Sequence, residues 1–182
     1  VLTAAHLIGD EPFAVLLADD LISPQASALG QLVKQYELFG NSVIAVQSVP
    51  SPEISAYGVI SGPKHADRLF LLDNIVEKPK FVDAPSDKGV TGRYIFTPPI
   101  LDKLRVLQPG AGGEYQLTDA IQALLSQERV FAYEFEGVRY DCGSKMGLLR
   151  ANIELGLEHP ETSRDLHKYL KNKLLSESRD PK

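Results

Sequence analysis

Cysteine occurs once in this chain of 182 residues, at Cys142, so an internal disulfide is impossible. There is no C-x-x-C pair, and His6, His65, His159 and His167 share no metal spacing, so zinc chemistry has no support. A G-x-S-x-G nucleophile elbow is missing as well, which leaves triad chemistry unsupported. No apolar run approaches the ~20 residues of a membrane-spanning helix. Positive charge is in the minority. Against 24 Asp and Glu stand 19 Lys and Arg, a net charge of −5, which argues against nonspecific nucleic-acid binding. Neither a nucleic-acid nor a membrane partner is expected. An acidic chain that binds anions must do so with local Lys, Arg and helix N-termini. One unpaired thiol and no visible signal peptide point to a reducing, cytoplasmic setting. An initial Met is also lacking. Val1-Leu2-Thr3-Ala4-Ala5-His6-Leu7 reads as the last two turns of a helix with nothing upstream to cap it. The reading is a fragment of a longer protein, so the missing signal peptide loses its weight.

What is present is ordinary in bulk. A hydrophobic content of 43% and this length suit one domain (1–182) with a sizeable core and a C-terminal helical part over 144–176. The run 13–18 predicts a buried strand, Ser23-Pro24 an N-cap with proline at the first helical position, and Gly40 a helix stop. The run 43–49 predicts a second buried strand. Strand, helix, strand implies a right-handed βαβ unit with parallel pairing. The stretches 57–61, 68–76 and 89–96 are β-rich, with prolines between them, and suggest a mixed sheet with antiparallel members. Pro98-Pro99 opens a short helix, 108–113 is a flexible loop, and 117–125 carries one apolar helical face. Strands over 130–135 and 138–141 follow. Two helices close the chain, one capped by Ser144 and stopped by Pro160, the other over 163–175, before a frayed tail. There is no internal repeat.

Several groups could do chemistry. In Ile75-Val76-Glu77-Lys78-Pro79 an apolar strand ends on a carboxylate beside an ammonium. Glu accepts hydrogen bonds from sugar hydroxyls and Lys suits a phosphate, so the pair reads as a sugar-phosphate clamp; it also serves as a solvated turn. Asp19 and Asp20 follow the first strand. Hard carboxylate oxygens there suit Mg²⁺, and the same acids suit a loop or helix cap. Asp141 ends a strand, and Gly143-Ser144-Lys145 opens a helix whose N-terminus offers an anion site or an ordinary Asx turn. Gly58 permits close approach of a ligand or simply makes a turn. Gly92 inside a strand marks a bulge or a close approach. Residues 114–119 combine a loop end with a helix start. Cys142, beside Asp141, reads as a buried small residue or as a nucleophile.

The order of these segments resembles bacterial UTP–glucose-1-phosphate uridylyltransferases. The segments are Leu17-Ala18-Asp19-Asp20, Ala56-Tyr57-Gly58-Val59, Val76-Glu77-Lys78-Pro79-Lys80, Gly92-Arg93-Tyr94, Gly113-Glu114-Tyr115-Gln116-Leu117-Thr118-Asp119-Ala120 and Asp141-Cys142-Gly143-Ser144-Lys145. The resemblance implies a Rossmann-like α/β/α sandwich with a mixed, mainly parallel sheet, truncated at its N-terminus. It implies formation of UDP-glucose and pyrophosphate from UTP and glucose 1-phosphate, with Mg²⁺ as cofactor and a homo-oligomeric state. Carried over by residue, Asp19 matches the Mg²⁺-binding aspartate and, more loosely, Asp141 a second metal ligand. Glu77 matches the holder of the sugar hydroxyls, Lys78 that of the sugar phosphate and Gly58 a backbone contact to the sugar. Gly92 and Lys145 are further substrate contacts. Asp19 and Lys78 would carry the catalysis. The family's glycine-rich nucleotide loop and its uracil-reading segment have no counterpart here, so the chain resembles the C-terminal ~60% of such an enzyme. Base specificity lies outside it, and the isolated chain is expected to be inactive.

The implied reaction is in-line attack of the sugar-phosphate oxygen on the α-phosphorus of UTP, with positioning and charge neutralisation dominating. One rival is a nucleotide-sugar-dependent glycosyltransferase, which would use a D-x-D motif that Asp19-Asp20 does not match. The other is a catalytically incomplete sugar-phosphate-binding or assembly fragment.

Overall fold

The structure is a computed structural model that describes residues 1–23, 27–50, 52–110 and 113–177. The chain divides into two compact units, Val1–Ala18 with Ser23–Gly137, and Asp19–Ile22 with Val138 onward. No helix among the described residues is long and apolar enough to cross a membrane.

The first unit opens with a short 3-10 turn and α1 (Ala5–Ile8), which Gly9 ends in the left-handed region. Then come β1 (Phe13–Leu16), α2 (Ala28–Phe39), β3 (Ser42–Ser48), β4 (Gly58–Ser61), β5 (Lys64–Ala66), β6 (Leu69–Leu71), β7 (Asn74–Glu77), β8 (Lys88–Phe96), α3 (Pro99–Val106), α4 (Leu117–Leu124) and β9 (Val130–Glu134). The name β2 is kept for Asp20–Ile22 of the second unit. The sheet runs β5-β6-β9-β3-β8-β4-β7, with β1 also on β8. Two-residue links join β4 to β5 and β6 to β7, so the two ends of this order are covalently tied and the sheet curls. Its core joins Ile44, Val46, Phe96, Val130 and Ala132 of the sheet to Ile100 and Leu101 of α3 and Ile121 and Leu124 of α4.

The mixed α/β architecture is the one the sequence predicts, but three local readings change. Among the described residues parallel pairing is confined to β3–β9, and every other ladder of this sheet is antiparallel. The expected βαβ unit is split. β1 and β3 run the same way, but β8 lies between them, antiparallel to both. β1 itself lies on the far side of β8 from β3. It pairs with β8 alone among the described residues, and Leu16 is exposed. The run 69–76 is two strands rather than one. Leu72 and Asp73 break it, with the Asp73 N–H donating to the Ser61 carbonyl and the Ser61 hydroxyl to the Asp73 carboxylate. Its halves part, β6 to β9 and β7 to β4.

Helix α2 starts at Ala28, and its N-cap is Ser27, whose Oγ accepts the Gly30 N–H, rather than Ser23. Pro24 lies outside the described residues, as do Ala111 and Gly112 of the predicted loop and the tail after Glu177. Gly40 ends α2 at φ 65°, a conformation that glycine adopts without steric cost.

The second unit pairs β2 (Asp20–Ile22) with β10 (Arg139–Asp141), antiparallel, and adds α5 (Lys145–Glu158) and α6 (Ser163–Glu177). Ser144 caps α5 as predicted. Its Oγ accepts the Gly147 N–H at 3.0 Å and its hydroxyl donates to the Asp141 carbonyl.

Candidate active site

In the first unit the predicted clamp closes the end of β7. Glu77 is the last residue of that strand and pairs in register with Gly58. Because β7 is an antiparallel edge strand, the crevice of a parallel sheet is not what places it. Helix α4 is. The Thr118 hydroxyl donates to Glu77 Oε2 at 2.9 Å, and Gln122 Oε1 accepts the Ile75 N–H at 2.8 Å. The other carboxylate oxygen, Oε1, faces Lys78 Nζ at 3.6 Å. The Glu77 side chain is 21% exposed and that of Lys78 56%, so a carboxylate anchored at its base stands beside a solvent-facing ammonium.

Lys78 has φ 43°, a left-handed conformation rare for a side chain with a Cβ. Its N–H donates to the Tyr57 carbonyl, which continues the β4–β7 pairing one step past the strand end. The strained turn is thus held by backbone bonding, and Pro79 follows it, buried. Gly58 is needed for a reason internal to the fold. A Cβ there would lie 2.6 Å from Thr118 Cγ2 and 3.2 Å from Glu77 Oε2. Gly92 is accounted for by a bulge. The β3–β8 ladder slips between Ile44 and Val46, and the extra residues fall on β8 between Tyr94 and Val90. The Gly92 carbonyl accepts the Leu17 N–H and the Arg93 guanidinium.

In the second unit Asp19 and Asp141 are both exposed and both turn toward Gly143. A Cβ on Gly143 would lie 3.1 Å from Asp141 Oδ1 and 3.1 Å from Asp19 Oδ2. The Cys142 N–H donates to the Asp19 carbonyl at 2.7 Å, and the Gly143 N–H to Asp141 Oδ1 at 3.1 Å, which fixes the turn. Asp20 is different. It is 6% exposed and ion-paired with Arg139 across the β2–β10 ladder. Two convergent, solvent-open carboxylates fit a small divalent cation that takes its remaining ligands from phosphate oxygens and water. No cluster of three or more His, Cys, Asp or Glu suited to a metal occurs among the described residues, so such a cation would depend on substrate ligands.

Lys145 is the first residue of α5 and is exposed. Cys142 is half-buried rather than buried; it lines an apolar cavity of about 840 Å³ with Leu148, Leu155 and Leu166. Behind it Tyr140 donates to Glu154 Oε2, and burial followed by this bond pushes the phenol above its ordinary value. Hydrogen bonds from Arg150 and Tyr140 hold the Glu154 carboxyl low.

Sequence reasoning read Gly143 as part of an anion site or an Asx turn after Asp141, and the structure shows that turn. It read Thr118 as part of a helix start; it missed Gln122 and the reach of Thr118 to Glu77. The available signal was a Thr and a Gln four apart on one face of a short helix.

The Nucleotidyl transferase family model matches residues 1–156. UTP–glucose-1-phosphate uridylyltransferase of Staphylococcus epidermidis is 47% identical over 169 residues, covering 93% of this chain and 59% of that protein. The enzyme of the same name from Bacillus subtilis is 45% identical over 174 residues, covering 96% and 60%. A crystal structure of UDP-glucose pyrophosphorylase complexed with UDP-glucose superposes with a TM-score of 0.83 at 41% identity, covering 87% of this chain and 61% of that one. A UTP-bound UGPase from Acinetobacter baumannii gives 0.80 at 33% identity, covering 93% and 59%. The chain thus spans about three fifths of the length of these relatives. Matched by the family model over most of its length, the chain belongs to the nucleotidyl transferase family.

Proposed function

We propose that this chain contributes the sugar-phosphate clamp and the metal-binding carboxylates of an enzyme that makes UDP-glucose and pyrophosphate from UTP and glucose 1-phosphate. The observation that carries the reading is the Glu77–Lys78 pair. A carboxylate fixed by Thr118 stands next to an ammonium held in a strained left-handed turn. Strain of that kind persists where the surroundings enforce it, and it clusters at ligand clamps. The relatives' names, and the UDP-glucose and UTP bound in two of the similar structures, point to the same substrates.

In this reading Glu77 accepts the sugar hydroxyls and Lys78 donates to the sugar phosphate. Gly58 offers its backbone to the sugar, Gly92 is a further substrate contact, and Lys145 adds charge toward phosphate. Asp19 is the primary ligand of a divalent cation, Mg²⁺, with Asp141 the second. Bound there, the cation would offset charge on phosphate oxygens. The side chains do no covalent chemistry. They align the sugar-phosphate oxygen with the α-phosphorus of UTP and hold it while pyrophosphate leaves, the kind of positioning that lowers such barriers most. A cytoplasmic setting and homo-oligomeric assembly belong to the same proposal, the latter read by sedimentation.

The test is pyrophosphate release by the full-length protein with UTP and glucose 1-phosphate. Release that needs both substrates and a divalent cation is expected. Its absence, or transfer of glucose from UDP-glucose to an added acceptor, would overturn the reading.

A further inference from the structure

Helix α4 touches β7 with two side chains one turn apart. Thr118 and Gln122 are spaced i, i+4 and so share a face. Gln122 Oε1 accepts the Ile75 N–H at 2.8 Å, and the Thr118 hydroxyl donates to Glu77 Oε2 at 2.9 Å. The first bond fixes where α4 lies along the edge strand. The second fixes the carboxylate.

That second bond has a defined direction. Thr118 is 8% exposed, and an ionised carboxylate only accepts, so the hydroxyl proton points to Glu77. The Thr118 side chain is itself restrained, because its methyl fills the space a Cβ on Gly58 would need. By contrast the terminal torsion of a free Glu is broad, with no single preferred rotation. Of the roughly four acceptor positions a carboxylate offers, Thr118 takes one on Oε2, and Lys78 faces Oε1. What is left for a ligand is therefore a directed subset rather than a freely turning carboxylate.

We infer that Thr118 is a positioning residue: it sets the rotation of the Glu77 carboxylate and thereby determines which sugar hydroxyl configuration the clamp accepts. It touches no substrate itself. The inference rests on the sugar-phosphate reading above and goes beyond it in assigning stereochemical selectivity to a helix side chain 41 residues away in sequence.

The experiment compares the full-length protein with Thr118→Val, which keeps the shape and removes the donor, and Thr118→Ser, which keeps the donor. Pyrophosphate release is measured with UTP and either glucose 1-phosphate or galactose 1-phosphate, and the melting temperature is recorded for each protein. Thr118→Val should raise KM for glucose 1-phosphate about tenfold, the scale of a lost hydrogen bond to a charged group. It should leave KM for UTP unchanged and reduce the ratio of kcat/KM between the two sugars by a similar factor. Thr118→Ser should restore both. An unchanged sugar ratio in Thr118→Val would overturn the inference while leaving the clamp intact, and so would a rise in both KM values that tracks melting temperature. No pyrophosphate release by the unaltered protein would instead remove the underlying reading, and this inference with it.

Discussion

Arg139 and Asp20 form an ion pair across the β2–β10 ladder, with side chains 13% and 8% exposed, while the neighbouring Asp19 and Asp141 stay open to solvent. Adjacent acids in one dipeptide thus have separate jobs. Asp20 ties two segments 119 residues apart in sequence, and the exposed Asp19 is the one proposed to hold a cation. Truncating one partner of a buried ion pair is strongly destabilising, by about 3–5 kcal/mol. Asp20→Ala should therefore lower the denaturation midpoint markedly, whereas Asp19→Asn should hardly move it. Chemical denaturation of the two variants checks this, and equal losses of stability would contradict it.

Activity should divide the opposite way. In the full-length protein Asp19→Asn should cut turnover by roughly two to four powers of ten, the scale of losing a group that stabilises developing charge. Gly143→Ala supplies an independent check that changes no charge. Its methyl would stand 3.1 Å from an oxygen of each carboxylate, in the space a shared cation needs. Turnover of Gly143→Ala should require a higher concentration of divalent cation than the unaltered protein does. A metal titration with the same midpoint for both would rule out Asp19 and Asp141 as a shared site.

Most of the elements were legible because their signals are local. The apolar run of β3, Gly40 at the end of α2, Pro99 at the start of α3 and Ser144 at the start of α5 each state their own boundary. Pairing was harder to read. Nothing near β1 announces that β8 will insert between it and β3, because that depends on a strand some 75 positions later finding the same edge. The break at Leu72 and Asp73 did have a sign, an acid in mid-run, but hydrophobicity on both sides outweighed it. The site shows the same division. Glu77, Lys78, Asp19 and Asp141 are residue types whose chemistry can be named in isolation. Thr118 reads as helix-start chemistry, yet Gln116 is the N-cap and Thr118 turns to β7 instead. Gly58 reads as an opening for a ligand, and it is already required by Thr118 and Glu77. Contacts across the fold give these residues their meaning, and a linear reading does not contain those contacts.

Lys78 offers a direct trade between stability and binding. The left-handed conformation costs a residue with a Cβ roughly 1–2 kcal/mol, and glycine is spared that cost. Lys78→Gly should therefore be at least as stable as the unaltered protein, while Lys78→Ala, which keeps the strain, should gain nothing. Both should weaken glucose 1-phosphate by about 1.5–3 kcal/mol through loss of the charged donor. Thermal melts with a KM determination for each variant separate the two effects. Undiminished affinity in both would rule out the ammonium as the phosphate holder.

Glu134 gives the fold a pH dependence that can be traced to one side chain. Burial acts to raise its pKa, but hydrogen bonds from Lys88 and Ser48 and the charges of Lys88 and Arg68 outweigh it and hold the carboxyl below the ordinary 4.5. The contacts are short, 2.9 Å from Lys88 Nζ and 3.0 Å from Ser48 Oγ, and they join the end of β9 to β3 and β8. A carboxyl depressed in the folded state contributes stability above its unfolded pKa, and the contribution disappears as pH falls through the lowered folded value. The network should thus be at full strength near neutrality and fade below about pH 4.5. Lys88→Met removes the main opposing partner and leaves burial to act on Glu134. At neutral pH that variant should be less stable by about 1–3 kcal/mol, the worth of a hydrogen bond to a charged group. On acidification the gap should close, since protonated Glu134 no longer needs the ammonium. Melting temperatures of both proteins from about pH 7 down to pH 3 record the gap directly. A difference that stays constant across that range would mean that Lys88 stabilises through its other contacts, the Ser48 hydroxyl and the Phe70 ring, whose centroid is 5.9 Å from Nζ, and not through the carboxylate.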